Sequence, residues 1–361
     1  MIVATSSSLA DDHPENLGFD IEFNGTRAKN YIQTQLDFGY RIPGTNASQH
    51  CIEWIAEEMS HYGTLQWLNF TKSDITCRNL LVRLYPSHSK IIIFAAHYDS
   101  RAVAEKETNT SLQHTPILGA NDGGSGVGTM LELAAHLVEF PDWNYSFWFF
   151  FFDAEDQGNS RGISGLSGLN WCEGSTYCAQ LMELFPDLFF HSNQSIASIE
   201  AFILFDMVGG ENLEFIRESH SESALREKIF TIGQTLGYMS AFPAQSISSF
   251  IVDDHVAFAE LDIPTVDLII DFWSVSAPWP YHHTLADNMD HISSTSLEIT
   301  GRTVFQFTYE WCYLNQTTIP SNAPLQWYWI VGIIIVASTA LYGFYFILRR
   351  IIIVKRYSTM K

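Results

Sequence analysis

Hydrophobic residues in this chain gather into short unbroken runs that stop abruptly at a charged or histidine residue. The runs are Ile91–Ser100 (IIIFAAHYDS), Phe147–Asp156 (FWFFFFDAED), Ala201–Gly210 (AFILFDMVGG) and Pro264–Asp271 (PTVDLIID). Continuous Val/Ile/Leu/Phe runs of this length read as parallel strands buried on both faces. Between them the apolar period changes to that of helices, over Asn24–Asp37, Ser48–Tyr62, Val127–Glu139, Ser221–Gly237, Asp253–Leu261 and Ser293–Leu314. Leu65–Phe70 and Asn79–Leu84 predict a further pair of strands ahead of the first run. Strands alternating with helices predict an α/β fold, a three-layer α-β-α sandwich with a mostly parallel (mixed) central sheet.

One apolar stretch does not belong to this pattern. Trp327–Leu348 carries no charge over a length that spans a bilayer, begins in an aromatic belt (Trp327, Tyr328, Trp329) and is followed by Arg349, Arg350, Lys355 and Arg356. It predicts a C-terminal transmembrane helix that contacts the lipid bilayer. The chain then divides into a flexible segment (1–20), a catalytic domain (21–318), the transmembrane helix (326–348) and a basic tail (349–361). The positive flank orients a single-pass protein with its tail in the cytoplasm and its catalytic domain outside. Asn-X-Ser/Thr triplets such as those at Asn24, Asn69 and Asn193 are compatible with export, whereas Met1–Asp20 lacks the basic and apolar regions of a secretory signal.

Charge removes one class of partner. With 19 Lys and Arg against 40 Asp and Glu, a net charge of −21 argues against nucleic acid, whose phosphates need a basic face. The five cysteines contain no Cys-X-X-Cys pair, so metal binding here must use oxygen and nitrogen. Outside a cell, Cys172 with Cys178, six apart in a Gly/Ser-rich loop, and Cys51 with Cys77 are each in a position to pair, leaving Cys312 over.

The strand ends carry the candidate chemistry. His97 and Asp99 lie two apart and leave their strand on the same side, a possible ligand and its orienting carboxylate. Asp122 sits in Gly119–Gly126 (GANDGGSG) ahead of a helix, where glycines permit close approach to an ion. Asp153, Glu155 and Asp156 crowd three carboxylates into four residues, which a cation relieves, and adjacent residues diverge so that one binds while the other moves protons. Asp206 in FDMVGG and His283 in YHHT complete a set of five donors: His97, Asp122, Asp156, Asp206 and His283. That set suits one Zn2+, or two bridged by a shared aspartate. The loop 101–118 and Trp273–Pro280 (WSVSAPWP) shape the substrate pocket, with Trp279 and His282 as its candidate side chains.

At these residues the chain resembles the zinc aminopeptidase family that includes the glutaminyl cyclases. HYDS, GANDGGSG, FFDAED, FDMVGG, DDH (Asp253–His255) and YHHT fall in that family's order, and FGYRIPGT, HYDSR and DDH look closest to the glutaminyl cyclase branch. The resemblance implies Glu155 as general acid/base, Asp122 as the metal-binding or bridging aspartate, and His97 and Asp206 at the first metal position. Asp156 and His283 become the remaining ligands, and Asp253 the acid that holds the substrate's reacting groups. It departs from the cyclases in having Asp156 for their usual glutamate and His282 for their usual tryptophan. The expected function is cyclisation of N-terminal glutamine on peptides or proteins with loss of ammonia. Hydrolysis of N-terminal residues by a di-zinc aminopeptidase is the alternative, and a binding protein that has lost catalysis is a second.

Overall fold

The computed structural model describes residues 23–140 and 143–313. Six strands form one sheet: β1 (Thr64–Lys72), β2 (Ile75–Leu84), β3 (Lys90–His97), β4 (Tyr145–Phe152), β5 (Ile199–Asp206) and β6 (Thr265–Ile269), in the order β1-β2-β4-β3-β5-β6. The pairs β4/β3, β3/β5 and β5/β6 are parallel, while β1/β2 and β2/β4 are antiparallel. Tyr145–Phe152 is buried at every position, as a central strand with both faces covered must be.

Alternate residues of β3 show what covers each face. Ile91, Ile93 and Ala95 pack with Trp148, Phe150, Phe202 and Leu204 against Cys178 and Met182 of α4 (Glu173–Leu184) and Phe258 of α6 (Asp254–Ala259). Ala96 faces the other way, under α3 (Gly124–Glu139). There Gly126 lies so close to the sheet that an added Cβ would stand 2.2 Å from the Phe205 carbonyl and 2.8 Å from the Ala96 Cβ. The remaining helices are α1 (Gly25–Asp37), α2 (Asn46–Ser60), α5 (Ser223–Thr235) and α7 (Ser294–Tyr313). Asn24 caps α1 through a bond from Arg27 N, and Thr45 caps α2 through one from Ser48 N, so both starts follow from an Asx or hydroxyl side chain.

Three expectations are corrected. Among the described residues no helix is long and apolar enough to cross a membrane. The longest, α7, carries Glu298, Arg302 and Glu310. The expected span Trp327–Leu348 lies outside the described residues, as do residues 1–20 and the basic tail; the transmembrane helix, bilayer contact and extracytoplasmic placement are withdrawn. Cys172 and Cys178 are not bridged: the first points its thiol at Glu155 Oε1 (3.4 Å), and the second accepts from Asn79 Nδ2 (3.2 Å). The segment around them, expected as a Gly/Ser-rich loop, forms helix α4.

Candidate metal and catalytic site

All the candidate donors lie at or just beyond the carboxyl ends of parallel strands, where α/β sheets collect ligands. His97 is the last residue of β3 and Asp206 the last of β5, while Glu155 and Asp156 follow β4. Asp122 is held by its loop. Buried Arg41 donates to the Tyr98, Leu118 and Gly119 carbonyls (2.8, 2.7 and 2.7 Å), and Asp287 accepts from Asn121 N (2.8 Å) and Asp122 N (3.1 Å). Gly123 has φ +85°, and a Cβ there would meet the Asp99 carbonyl at 2.6 Å and the His97 ring at 3.0 Å. Only glycine serves at that corner.

The two oxygens of Asp122 face different histidines. Oδ1 lies 3.2 Å from His97 Nε2, which is also 3.5 Å from Asp206 Oδ1. Oδ2 lies 3.6 Å from His283 Nε2, which is 3.0 Å from Asp156 Oδ1. Two donor groups therefore share one carboxylate: His97, Asp122 and Asp206 on one side, and Asp122, His282 and His283 on the other, with Asp156 against His283. Buried atoms in both lack a hydrogen-bond partner, namely both His97 nitrogens, Asp122 Oδ2, Asp156 Oδ2 and Asp206 Oδ1. Unsatisfied buried polar groups are costly, and here they point inward together. Oxygen and nitrogen donors so arranged fit zinc.

Supporting residues hold this arrangement. Asp99 Oδ1 sits 3.4 Å from His97 Nδ1 and accepts from Glu155 N (3.0 Å); its other oxygen accepts from Asp156 N (3.3 Å) and Gln157 Nε2 (2.9 Å). It anchors the turn bearing the two acids and stands within ion-pair distance of the imidazole. His283 has a left-handed backbone (φ 57°) and meets Glu105 Oε1 through Nδ1 at 2.5 Å. Glu105 is bound by Arg101 Nε (2.7 Å), and Arg101 also donates to the Asp156 carbonyl (2.8 Å). Trp171 lies between them, under the Arg101 guanidinium (4.6 Å) and stacked on His283. Arg101, Glu105, Trp171 and Asp287 have no strand-end signature, and nothing in the sequence marked them individually as site residues.

Electrostatics follow from burying so many acids. Burial, with repulsion from Asp206, pushes the Asp253 carboxyl up to about 8, and burial with Asp156 and Asp253 raises Glu155 well above its ordinary value. Asp206 rises to about 6, burial and Asp122 outweighing His97. Burial would lower His97, but Asp122, Asp206 and Asp99 hold it well above the usual imidazole value. Glu105 goes the other way, to about 2, because His283 and Arg101 override its burial. Protons are retained where positive charge is missing.

Of these groups Asp122, Glu155, Asp156, Asp206, Asp253 and His283 form the floor of a cavity of about 760 Å³. Glu155 and Asp253 bring carboxylate oxygens within 4.8 Å of each other there, beside Cys172. His282 lines the wall, stacked on His283 with its Nε2 3.7 Å from Asp122 Oδ2, and Phe272 packs against it. Trp279 does not line the cavity; it is buried behind it against Gly210 and Tyr281, and Trp273 lines the cavity instead. Asp271, the charge that closes the fourth apolar run, caps the Trp273–Ser274 turn and takes no part in the site.

A mixed α/β sheet with clustered N/O donors at its strand ends fits a zinc metalloenzyme, and its relatives are zinc exopeptidases and glutaminyl cyclases. The model of peptidase family M28 matches residues 79–308, and the chain belongs to that family. A zinc-dependent exopeptidase from Parabacteroides distasonis superposes with TM-score 0.71 at 30% identity, covering 80% of this chain and 98% of its own. Glutaminyl cyclase from Bacteroides thetaiotaomicron gives 0.70 at 33% identity, with the same coverage. Glutaminyl-peptide cyclotransferase of Gloydius blomhoffii is 25% identical over 262 residues, 66% of each chain.

Proposed function

We propose that this protein cyclises N-terminal glutaminyl residues of peptides with release of ammonia. The observation carrying this reading is the meeting of Glu155 and Asp253 in the cavity beside the shared donor groups. Cyclisation moves one proton from the attacking amine to the departing nitrogen, and a close pair of buried carboxyls can hold and return it. His97, Asp122, Asp156, Asp206 and His283 are the residues that would hold zinc, one ion or two. When bound, zinc supplies Lewis-acid polarisation of the substrate carbonyl.

The chain's own residues do the rest. Glu155 accepts a proton from the substrate's α-amine as its nitrogen bonds to the side-chain amide carbon. The bond from that carbon to the amide nitrogen breaks, and Glu155 returns the proton so that ammonia leaves. Asp253, held as the N-cap of α6, keeps the reacting amine and amide against Glu155. Asp99 fixes the backbone that aims Glu155. His282 and Trp273 wall the substrate in.

A second reading has its own observation. His97, Asp122 and Asp206 make a complete second donor group, as a two-zinc aminopeptidase requires, and the zinc-dependent exopeptidase relative supports it. Incubating zinc-loaded protein with Gln-peptides and Leu-peptides separates the two by mass. The cyclase reading predicts that the Gln-peptide alone changes, losing one ammonia. A free amino acid released from either peptide establishes the aminopeptidase instead.

A further inference from the structure

The cavity is lined by five carboxylates (Asp122, Glu155, Asp156, Asp206 and Asp253) and by two cations, Lys106 and Arg161. In a chain with 40 acidic and 19 basic residues, two cations without an acidic partner at a binding cavity need a reason. Lys106 Nζ makes its polar contact with His282 Nδ1 and lies 5.3 Å from the Phe272 ring and 5.9 Å from that of Trp273. Among the described residues Lys106 and Arg161 form no ion pair with a carboxylate, although Glu105 and Asp122 lie near enough to attract Lys106, and the two cations are close enough to repel each other. Arg161 occupies the left-handed tip (φ 52°) of the turn between the two-residue strands Asn159–Ser160 and Ile163–Ser164.

The order of groups gives the subsite its place. Asp122 is followed outward by His282, then by Lys106. A substrate whose N-terminal residue reacts on the floor sends its following residue past these cations. We infer that Lys106 and Arg161 form a carboxylate-accepting subsite for the residue after the reacting one, so that the enzyme favours substrates bearing an anion there. The anion would come from an Asp or Glu side chain at the second position or from the chain terminus of a dipeptide. Both place a carboxylate between two cations that otherwise repel. The inference rests on the reading that a peptide N-terminus occupies the floor.

Zinc-loaded full-length protein is assayed at low salt with Gln-Glu-Ala-amide, Gln-Lys-Ala-amide and Gln-Ala as free acid and amide, measuring kcat/KM and, by calorimetry, binding. A single exposed ion pair is worth up to about 1 kcal/mol, so the Glu peptide should lead the Lys peptide by about fivefold, less at high salt. A double variant, Lys106→Met with Arg161→Met, should abolish that ratio, and Lys106→Arg should keep it. A larger gap between the Gln-Ala acid and amide than between the Glu and Lys peptides assigns the site to the chain terminus. Turnover with no preference, or a preference that survives the double variant, overturns the subsite and leaves the reaction standing. Preferential binding without turnover does the reverse, and no binding by any peptide overturns both.

Discussion

Glu155 and Glu105 show how differently two buried glutamates of one site can behave. Glu155 is crowded by Asp156 and Asp253 and is raised; Glu105 is clasped by His283 and Arg101 and falls to about 2. The first is suited to exchange protons, the second to stay charged and orient an imidazole. Glu155→Gln is expected to lower kcat by about 10²- to 10⁴-fold while the protein binds zinc normally. Glu105→Gln is expected to weaken zinc affinity by about 10- to 100-fold, because His283 loses its orienting carboxylate. Zinc titration and kinetics on both variants separate the roles. The sequence showed Glu155 and Asp156 because charge after an apolar run is conspicuous. Glu105 sits in an ordinary polar loop and gave no such signal. Within Trp273–Pro280 it is Trp273 rather than the expected Trp279 that lines the cavity, and WSVSAPWP has no period to say which ring turns inward.

Among the elements, α6 matters beyond its six residues, since its N-cap is Asp253. It is pinned by Glu218, whose carboxylate accepts from His220 N (2.9 Å), Ser221 N (2.7 Å), Ile251 N (3.1 Å) and His255 Nε2 (3.1 Å). Burial would raise Glu218, but His255 and these backbone donors hold it down to about 2. A depressed carboxylate stabilises the fold above its unfolded value and ceases to do so as pH falls through the folded one. Thermal stability should therefore fall between about pH 4.5 and 2, and Glu218→Gln should be less stable at neutral pH with a flatter acid limb. An unchanged limb in melts recorded across that range would remove Glu218 from this role. Most elements were legible from period and caps, as with α1 and α2. Helix α4 was not, because its Gly, Ser and Thr residues suggested a loop. Its apolar stripe shows only once Cys178 and Met182 are seen against β4.

At the scale of the molecule, parallel strands carry their terminal residues to one edge of the sheet, so groups more than a hundred residues apart in sequence meet around Asp122. That convergence was readable from the apolar runs. Its supports come from loops whose course only the fold decides, such as Arg41 beneath the Asp122 loop. Five buried carboxylates on one floor repel one another, so bound zinc should stabilise the whole domain and chelation should lower its melting temperature. The most direct test is zinc titration of chelated protein, wild type beside Asp122→Ala, followed by calorimetry and melting temperature. The account predicts tight binding and a raised melting temperature for the wild type, and loss of both in the variant, because Asp122 faces both histidines. An Asp122→Ala protein that takes up zinc with wild-type affinity would contradict it.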